Sequence, residues 1–217
     1  MTLIKICGLS RACDIDNARD ARPDFIGFIL NYPKSRRNVA PEAAALLRER
    51  LGSEIRAVGV FVDQPIDVVI RAAAQIGLDA VQLHGHEDHV YITALRKAVS
   101  VPVWKAFRVR SAADLSAAAE SPADEILLDN GYGTGEVFDW RLTIGFDRPF
   151  ILAGGLTPKN IPDAVRSLHP TMVDISSGVE TGGVKDRAKI IAAVRAVRQS
   201  QTDNTHNHGV SQRKGRR

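Results

Sequence analysis

Two side chains able to move protons close two short apolar runs far apart in the chain. Cys7 ends the run Leu-Ile-Lys-Ile-Cys near the start, and Asp129 ends Glu-Ile-Leu-Leu-Asp. An unperturbed thiol has a pKa of about 8.5, so about one in thirty is thiolate at neutral pH. A carboxyl group that is to donate a proton must keep that proton at working pH, which burial favours. Lys5 shares a pleat face with Cys7, because residues two apart in a strand point the same way, and its charge would raise the thiolate share. Taken alone, Cys7 is more commonly a small buried hydrophobe and Asp129 more commonly a loop cap. Other polar side chains sit at or just beyond apolar runs: Arg36 or Arg37, His84, Arg108 and Asp174. Two glycine segments, Ala153-Gly154-Gly155-Leu156 and Ser176-Ser177-Gly178-Val179, offer backbone N–H groups and hydroxyls to a phosphate dianion, or else simply turn tightly.

These groups need a scaffold that brings strand ends together. Apolar runs at 2–9, 24–30, 55–62, 80–84, 103–109, 125–129, 150–152 and 172–175 read as strands. Helical spacing falls between them, over 14–21, 41–51, 65–76, 87–99, 114–119, 158–168 and 186–197, with a stub of helix at 138–144. The strands are continuous rather than alternating in polarity, as expected when both faces of a parallel sheet are buried. Strict alternation also suits an open doubly wound sheet. Eight units, and no G-x-G-x-x-G after the first strand, favour a closed (β/α)8 barrel, an α/β fold in one domain over residues 1–199. The strand C-termini then share one rim, where barrels carry their chemistry.

Composition agrees with a single globular domain. The chain has 217 residues, 44% hydrophobic and 25% charged, which suits one α/β domain better than two. No apolar run approaches a membrane span, and the first is too short for a signal-peptide core. Cys7 and Cys13 are too close for a bridge to staple much, so a reducing cytoplasm is the simpler expectation. Arg213, Lys214, Arg216 and Arg217 against Asp203 carry most of the net +4. The basic character therefore belongs to 200–217, a polar stretch read as a disordered tail, and points to neither nucleic acid nor membrane as partner.

Read in order, KICGL at 5–9, NYPKSRR at 31–37, VQLHG at 81–85, LLD at 127–129, GTGEVFDW at 133–140, LAGGL at 152–156 and DISSGVE at 174–180 carry a family resemblance. Over about residues 2–198 the chain resembles the phosphoribosylanthranilate isomerases of tryptophan biosynthesis. The resemblance implies a cytoplasmic (β/α)8 barrel, monomer or homodimer, that uses no cofactor and no metal. Its small phosphorylated substrate, N-(5-phosphoribosyl)anthranilate, becomes 1-(2-carboxyphenylamino)-1-deoxyribulose 5-phosphate by an Amadori rearrangement, an aldose–ketose isomerisation. It implies Asp129 as the acid that opens the furanose ring and Cys7 as the base that takes the C2′ proton. It further implies Arg37 on the anthranilate carboxylate, a role that a guanidinium fork suits. Asp174 would meet the sugar hydroxyls or amine, and Gly154, Gly155, Ser177 and Gly178 the phosphate. Tyr132 and Glu136 depart from the family pattern, where a glycine and a lysine are more usual, and the basic tail is not a family feature.

Rival readings make different demands. His84, His86 and His89 with Asp88 match the H-x-H-x-D-H spacing of a metallohydrolase, but downstream and before the tail only His169 could add to them. Indole-glycerol-phosphate synthase, ribulose-phosphate epimerase and the histidine-pathway isomerase are phosphate-binding barrels too. The last performs the same rearrangement with two aspartates, from which Cys7 sets this chain apart. A non-catalytic scaffold would leave the acid and the base without purpose. Deleting 202–217 is expected to leave kinetic constants and melting temperature unchanged, since apart from Val210 the segment has no apolar residue to bury; kinetics and a thermal melt of the truncated enzyme check this.

Overall fold

The computed structural model describes residues 1–129 and 140–210. The expected glycine loop at 131–135, with Tyr132 and Glu136, and the basic residues of 211–217 lie outside the described residues. The elements run β1 Leu3–Cys7, α1 Ala12–Ala21, β2 Phe25–Leu30, β3 Asn38–Val39, α2 Pro41–Leu51, β4 Arg56–Phe61, α3 Ile66–Ile76, β5 Ala80–Leu83, α4 His89–Ala98, β6 Val103–Arg108, α5 Ala112–Glu120 and β7 Glu125–Asp129. There follow a 3-10 turn at Trp140–Thr143, β8 Phe150–Leu152, α6 Ile161–Leu168, β9 Met172–Ile175, a 3-10 turn at Ser177–Val179, the two-residue strands β10 Glu180–Thr181 and β11 Val184–Lys185, and α7 Arg187–Val210.

Parallel pairing in the order β1-β9-β8-β7-β6-β5-β4-β2, completed by β1 with β2, closes an eight-stranded barrel. The expected fold class holds. Strand alternation divides the core in two. Ile4 and Ile6 of β1 point outward with Ile26 and Phe28 of β2 and Ile126 and Leu128 of β7, and pack under the helices. Leu3 of β1 points inward with Phe25, Val58, Ala80, Trp104, Leu127, Ile151 and Met172, and fills the lower barrel. Phe25 and Trp104 meet edge to face at 5.2 Å, and the Arg56 guanidinium lies 3.7 Å over the Phe25 ring. Further up the same inward faces come Lys5 and Cys7, Gln82, Asp129 and Asp174. The barrel is an apolar plug below and a polar chamber above.

Helix starts differ from the expected ones for a local reason. In α1 and α5 an aspartate stands at the third helical position and reaches back. Asp14 accepts from Ser10 N and Arg11 N, both at 3.1 Å, and Asp114 accepts from Ser111 N at 2.9 Å. The pattern thus begins two residues before the carboxylate. Helix α4 begins at His89, capped by Asp88, which accepts from Tyr91 N at 2.8 Å. Helix α6 begins at Ile161, because Thr157 and Asn160 are tied in a turn by a 2.7 Å bond. The last helix passes the expected end at 197 and continues to Val210, so residues 200–210 of the stretch read as a disordered tail are helical. Extending a formed helix costs far less than starting one, and no proline interrupts this segment.

Candidate active site

A belt of polar contacts crosses the upper chamber. The Lys5 ammonium, fully buried, lies 2.8 Å from Asp174 Oδ2 and 2.8 Å from Gln82 Oε1. Gln82, 1% exposed, turns its Nε2 to His84 Nδ1 at 3.0 Å. His84 Nε2 is 3.6 Å from Asp129 Oδ2. The two strand-end groups, Cys7 beside Lys5 and Asp129 beside His84, therefore stand at opposite ends of one connected network. Burial would strip the proton from Lys5, but Asp174 and Cys7 outweigh that and raise its pKa. Asp174 Oδ1 is buried and accepts no hydrogen bond from the described residues.

Cys7 occupies space that glycines leave open. A Cβ on Gly27 of β2 would come within 2.8 Å of the Cys7 sulfur, and one on Gly8 within 2.5 Å of Arg37 Cδ. Gly8 also has φ +77°, a conformation that disfavours any side chain. Ser176 Oγ donates to the Cys7 carbonyl at 3.0 Å. Lys5 does pull the Cys7 thiol toward ionisation, as expected, but the net effect of the structure runs the other way. Desolvation pushes the Cys7 pKa up, and the opposing pull of Lys5 and Lys185 does not recover it, partly because Asp174 adds its own negative charge.

Arg37 lies along the same rim, held by Glu180. Its Nε donates to Glu180 Oε1 at 2.6 Å and its Nη2 to Oε2 at 2.8 Å. Lys185 Nζ adds a 2.7 Å bond to Oε1 and Arg36 Nη2 a 2.7 Å bond to Oε2. Arg37 is largely covered while the Arg36 side chain is 60% exposed. Desolvation alone would raise the Glu180 pKa, but bonds from Arg37 and Lys185 overcome it and hold the carboxyl at about 2. The Nη1 group of Arg37 makes no bond among the described residues.

The two glycine loops meet above β8 and β9. Gly154 and Gly155 have φ +88° and +63°. Gly178 sits so close to the Leu156 carbonyl that an added Cβ would be 1.8 Å from its oxygen. Ser177 lies in the 3-10 turn beside it. Of the remaining rim residues, Arg108 stands in register with Asp129. His86 turns away to Asp63 at 3.0 Å, and His89 opens α4. Among the described residues, no three His, Cys, Asp or Glu side chains are grouped to hold a metal. Gln82, Glu180 and Lys185 belong to the site although the sequence alone does not single them out. Gln82 carries the one available signal, a polar side chain within an apolar run.

Known proteins share this architecture. The family model described as N-(5′phosphoribosyl)anthranilate (PRA) isomerase matches residues 4–196. The N-(5′-phosphoribosyl)anthranilate isomerase of Desulforudis audaxviator is 43% identical over 212 residues, covering 92% of this chain and all of the relative. The crystal structure of phosphoribosyl anthranilate isomerase from Thermotoga maritima superposes with a TM-score of 0.83 at 33% identity, covering 92% of this chain and 100% of that one. A further isomerase structure, in complex with reduced 1-(o-carboxyphenylamino)-1-deoxyribulose 5-phosphate, gives a TM-score of 0.81 at 32% identity with the same coverage.

The Glu180 cluster makes a stability prediction. Its folded pKa of about 2 lies below the ordinary 4.5, so its contribution is present above pH 4.5 and is lost as pH falls towards 2. Glu180→Gln is expected to cost roughly 2–3 kcal/mol at pH 7, because bonds to charged donors are lost. The variant should also lose less stability than the parent between pH 4.5 and 2. Denaturant melts of both proteins across that range check it.

Proposed function

The chain belongs to the N-(5′-phosphoribosyl)anthranilate isomerase family, and on that premise we propose that Asp129 and Cys7 perform its acid–base step. The enzyme converts N-(5′-phosphoribosyl)anthranilate to 1-(2-carboxyphenylamino)-1-deoxyribulose 5-phosphate in tryptophan biosynthesis. Asp129 gives its proton to the furanose ring oxygen as the bond from that oxygen to C1′ breaks, leaving a protonated Schiff base. The Cys7 thiolate then takes the C2′ proton, and the electron pair flows into the enolamine that tautomerises to the ketone. The observation that carries this reading is the polar belt with Cys7 at one end and Asp129 at the other.

The remaining roles follow from what each group has to offer. Asp174 Oδ1, buried and still able to accept, suits a sugar hydroxyl or the substrate amine. Glu180 takes the Nε edge of Arg37, which leaves the Nη1 hydrogens for the anthranilate carboxylate. The backbone around Gly154, Gly155, Ser177 and Gly178 receives the phosphate, the two loops being in contact. A reducing compartment such as the cytoplasm suits a base that must remain an unoxidised thiol.

Cys7→Ala and Asp129→Asn are each expected to lower turnover by roughly 10²–10⁴ while the fold stays intact, since a general base or acid is worth about that much. Either variant keeping half of the parent activity would overturn its role. The raised thiol pKa adds a sign: the ionisation that the parent kcat/KM profile assigns to the base should lie above neutrality, and steady-state kinetics with circular dichroism check both expectations.

Arg37→Lys tests the carboxylate contact separately. Lysine keeps the charge but neither the fork nor its tie to Glu180, so a loss of about 1.5–3 kcal/mol, roughly ten- to hundredfold, is expected. A rise in KM alone places the contact in ground-state binding, and a fall in kcat as well places it in orienting the aminosugar. Arg36→Lys, at an exposed side chain, should be near neutral. Equal losses at both positions would mean that bulk positive charge is what matters.

A further inference from the structure

The belt contains a group that the reaction as written does not use. His84 stands between the buried Lys5–Gln82 contact and Asp129, and the geometry limits where its proton can be. An ammonium can only donate. With Lys5 Nζ 2.8 Å from one end of the Gln82 amide, that end must be the carbonyl oxygen, because a flipped amide would set two donors face to face. The other end is then the NH2 group, which can only donate, and it lies 3.0 Å from His84 Nδ1. Nδ1 must therefore offer its lone pair. A neutral imidazole with a bare Nδ1 carries its hydrogen on Nε2, the nitrogen 3.6 Å from Asp129 Oδ2.

We propose that Lys5, acting through the Gln82 amide, holds His84 as the neutral imidazole with its proton on Nε2, so that this N–H faces Asp129 and steadies the carboxylate left behind when Asp129 has donated. The inference rests on the reading of Asp129 as the acid. Each alternative state of His84 would harm that acid. A ring protonated on Nδ1 alone would present a lone pair to Asp129 and compete for its proton. A doubly protonated ring would favour the carboxylate before the chemistry begins. The neutral Nε2–H form sets no positive charge beside Asp129 and donates to the negative charge that develops on it. At 3.6 Å the contact is longer than a hydrogen bond, and a shift of well under an ångström makes it one. Lys5 is charged because Asp174 sits 2.8 Å from it on the adjoining strand. The tautomer at one end of the belt is thus tied to an ion pair at the other. Gln82 and His84 are positioning residues in this scheme.

Nitrogen-15 NMR of the full chain, labelled on histidine, reads the tautomer directly, with His84→Asn assigning the signals. The parent is expected to show His84 with a bare Nδ1 and a protonated Nε2. In Gln82→Glu the carboxylate still accepts from Lys5 but can no longer donate to the ring, so Nδ1 should become protonated. Turnover should fall about ten- to hundredfold, the scale of one bond to a charged group, with KM little changed. A parent spectrum with Nδ1 protonated would overturn the proposal, and so would a bare Nδ1 in Gln82→Glu. The parent spectrum decides even if the variant folds poorly. The underlying reading fails separately. An active Asp129→Asn variant would remove the acid, and with it the purpose given to His84, whatever the tautomer. An inactive Asp129→Asn variant with the wrong parent tautomer would defeat the relay alone.

Discussion

The upper half of the barrel depends on one buried ion pair, Lys5 with Asp174. The two residues face each other in register on β1 and β9, the first and last strands of the closed sheet. A lysine with no solvent exposure is tolerable only if its charge is matched and its hydrogens are used. Asp174 supplies the match and Gln82 a second acceptor. Breaking such a pair from one side leaves an uncompensated charge and costs about 3–5 kcal/mol. The interaction therefore joins the ends of the sheet and also decides what kind of chamber lies above the apolar plug.

Its electrical influence on Cys7 is weaker than its proximity suggests. The same burial that strengthens the Lys5–Asp174 pair also makes a thiolate costly, and Asp174 carries a charge of the same sign as that thiolate. Lys5 still pulls the thiol pKa down, but the charge of Asp174 offsets part of that pull. Here Lys5 is shared, and desolvation prevails. Burial thus favours the thiol form of Cys7 over the thiolate.

Space around Cys7 is made by absent side chains. Gly27 admits the Cys7 sulfur, Gly8 admits the Arg37 chain, and Gly178 lets one glycine loop touch the other. Glu180 then ties three segments together, taking Arg36 and Arg37 from the loop after β2 and Lys185 from β11. The rim is braced by a carboxylate that belongs to the protein, and of the Arg37 guanidinium it leaves Nη1 unused.

Much of this was legible along the chain, and the division follows the range of the forces. Parallel strands buried on both faces must be continuous apolar runs, so β7, β8 and β9 have the bounds that their sequences suggest. Eight such runs in alternation with helical spacing implied the barrel, and a barrel puts Cys7 and Asp129 on its rim. Helix starts were less legible because an aspartate in the first turn acts backwards, on N–H groups three to four residues earlier. The partners of the site groups were not legible at all. Lys5 and Gln82 are 77 residues apart, and Arg37 and Glu180 are 143 apart. The sequence by itself determined which residue types could do the chemistry and which strand ends would carry them, since these follow from local pattern. Only the tertiary structure decided that Glu180 claims one edge of Arg37, that burial outweighs Lys5 at Cys7, and that a glutamine amide orients His84. Those outcomes depend on distances and desolvation, which exist only once the sheet has closed.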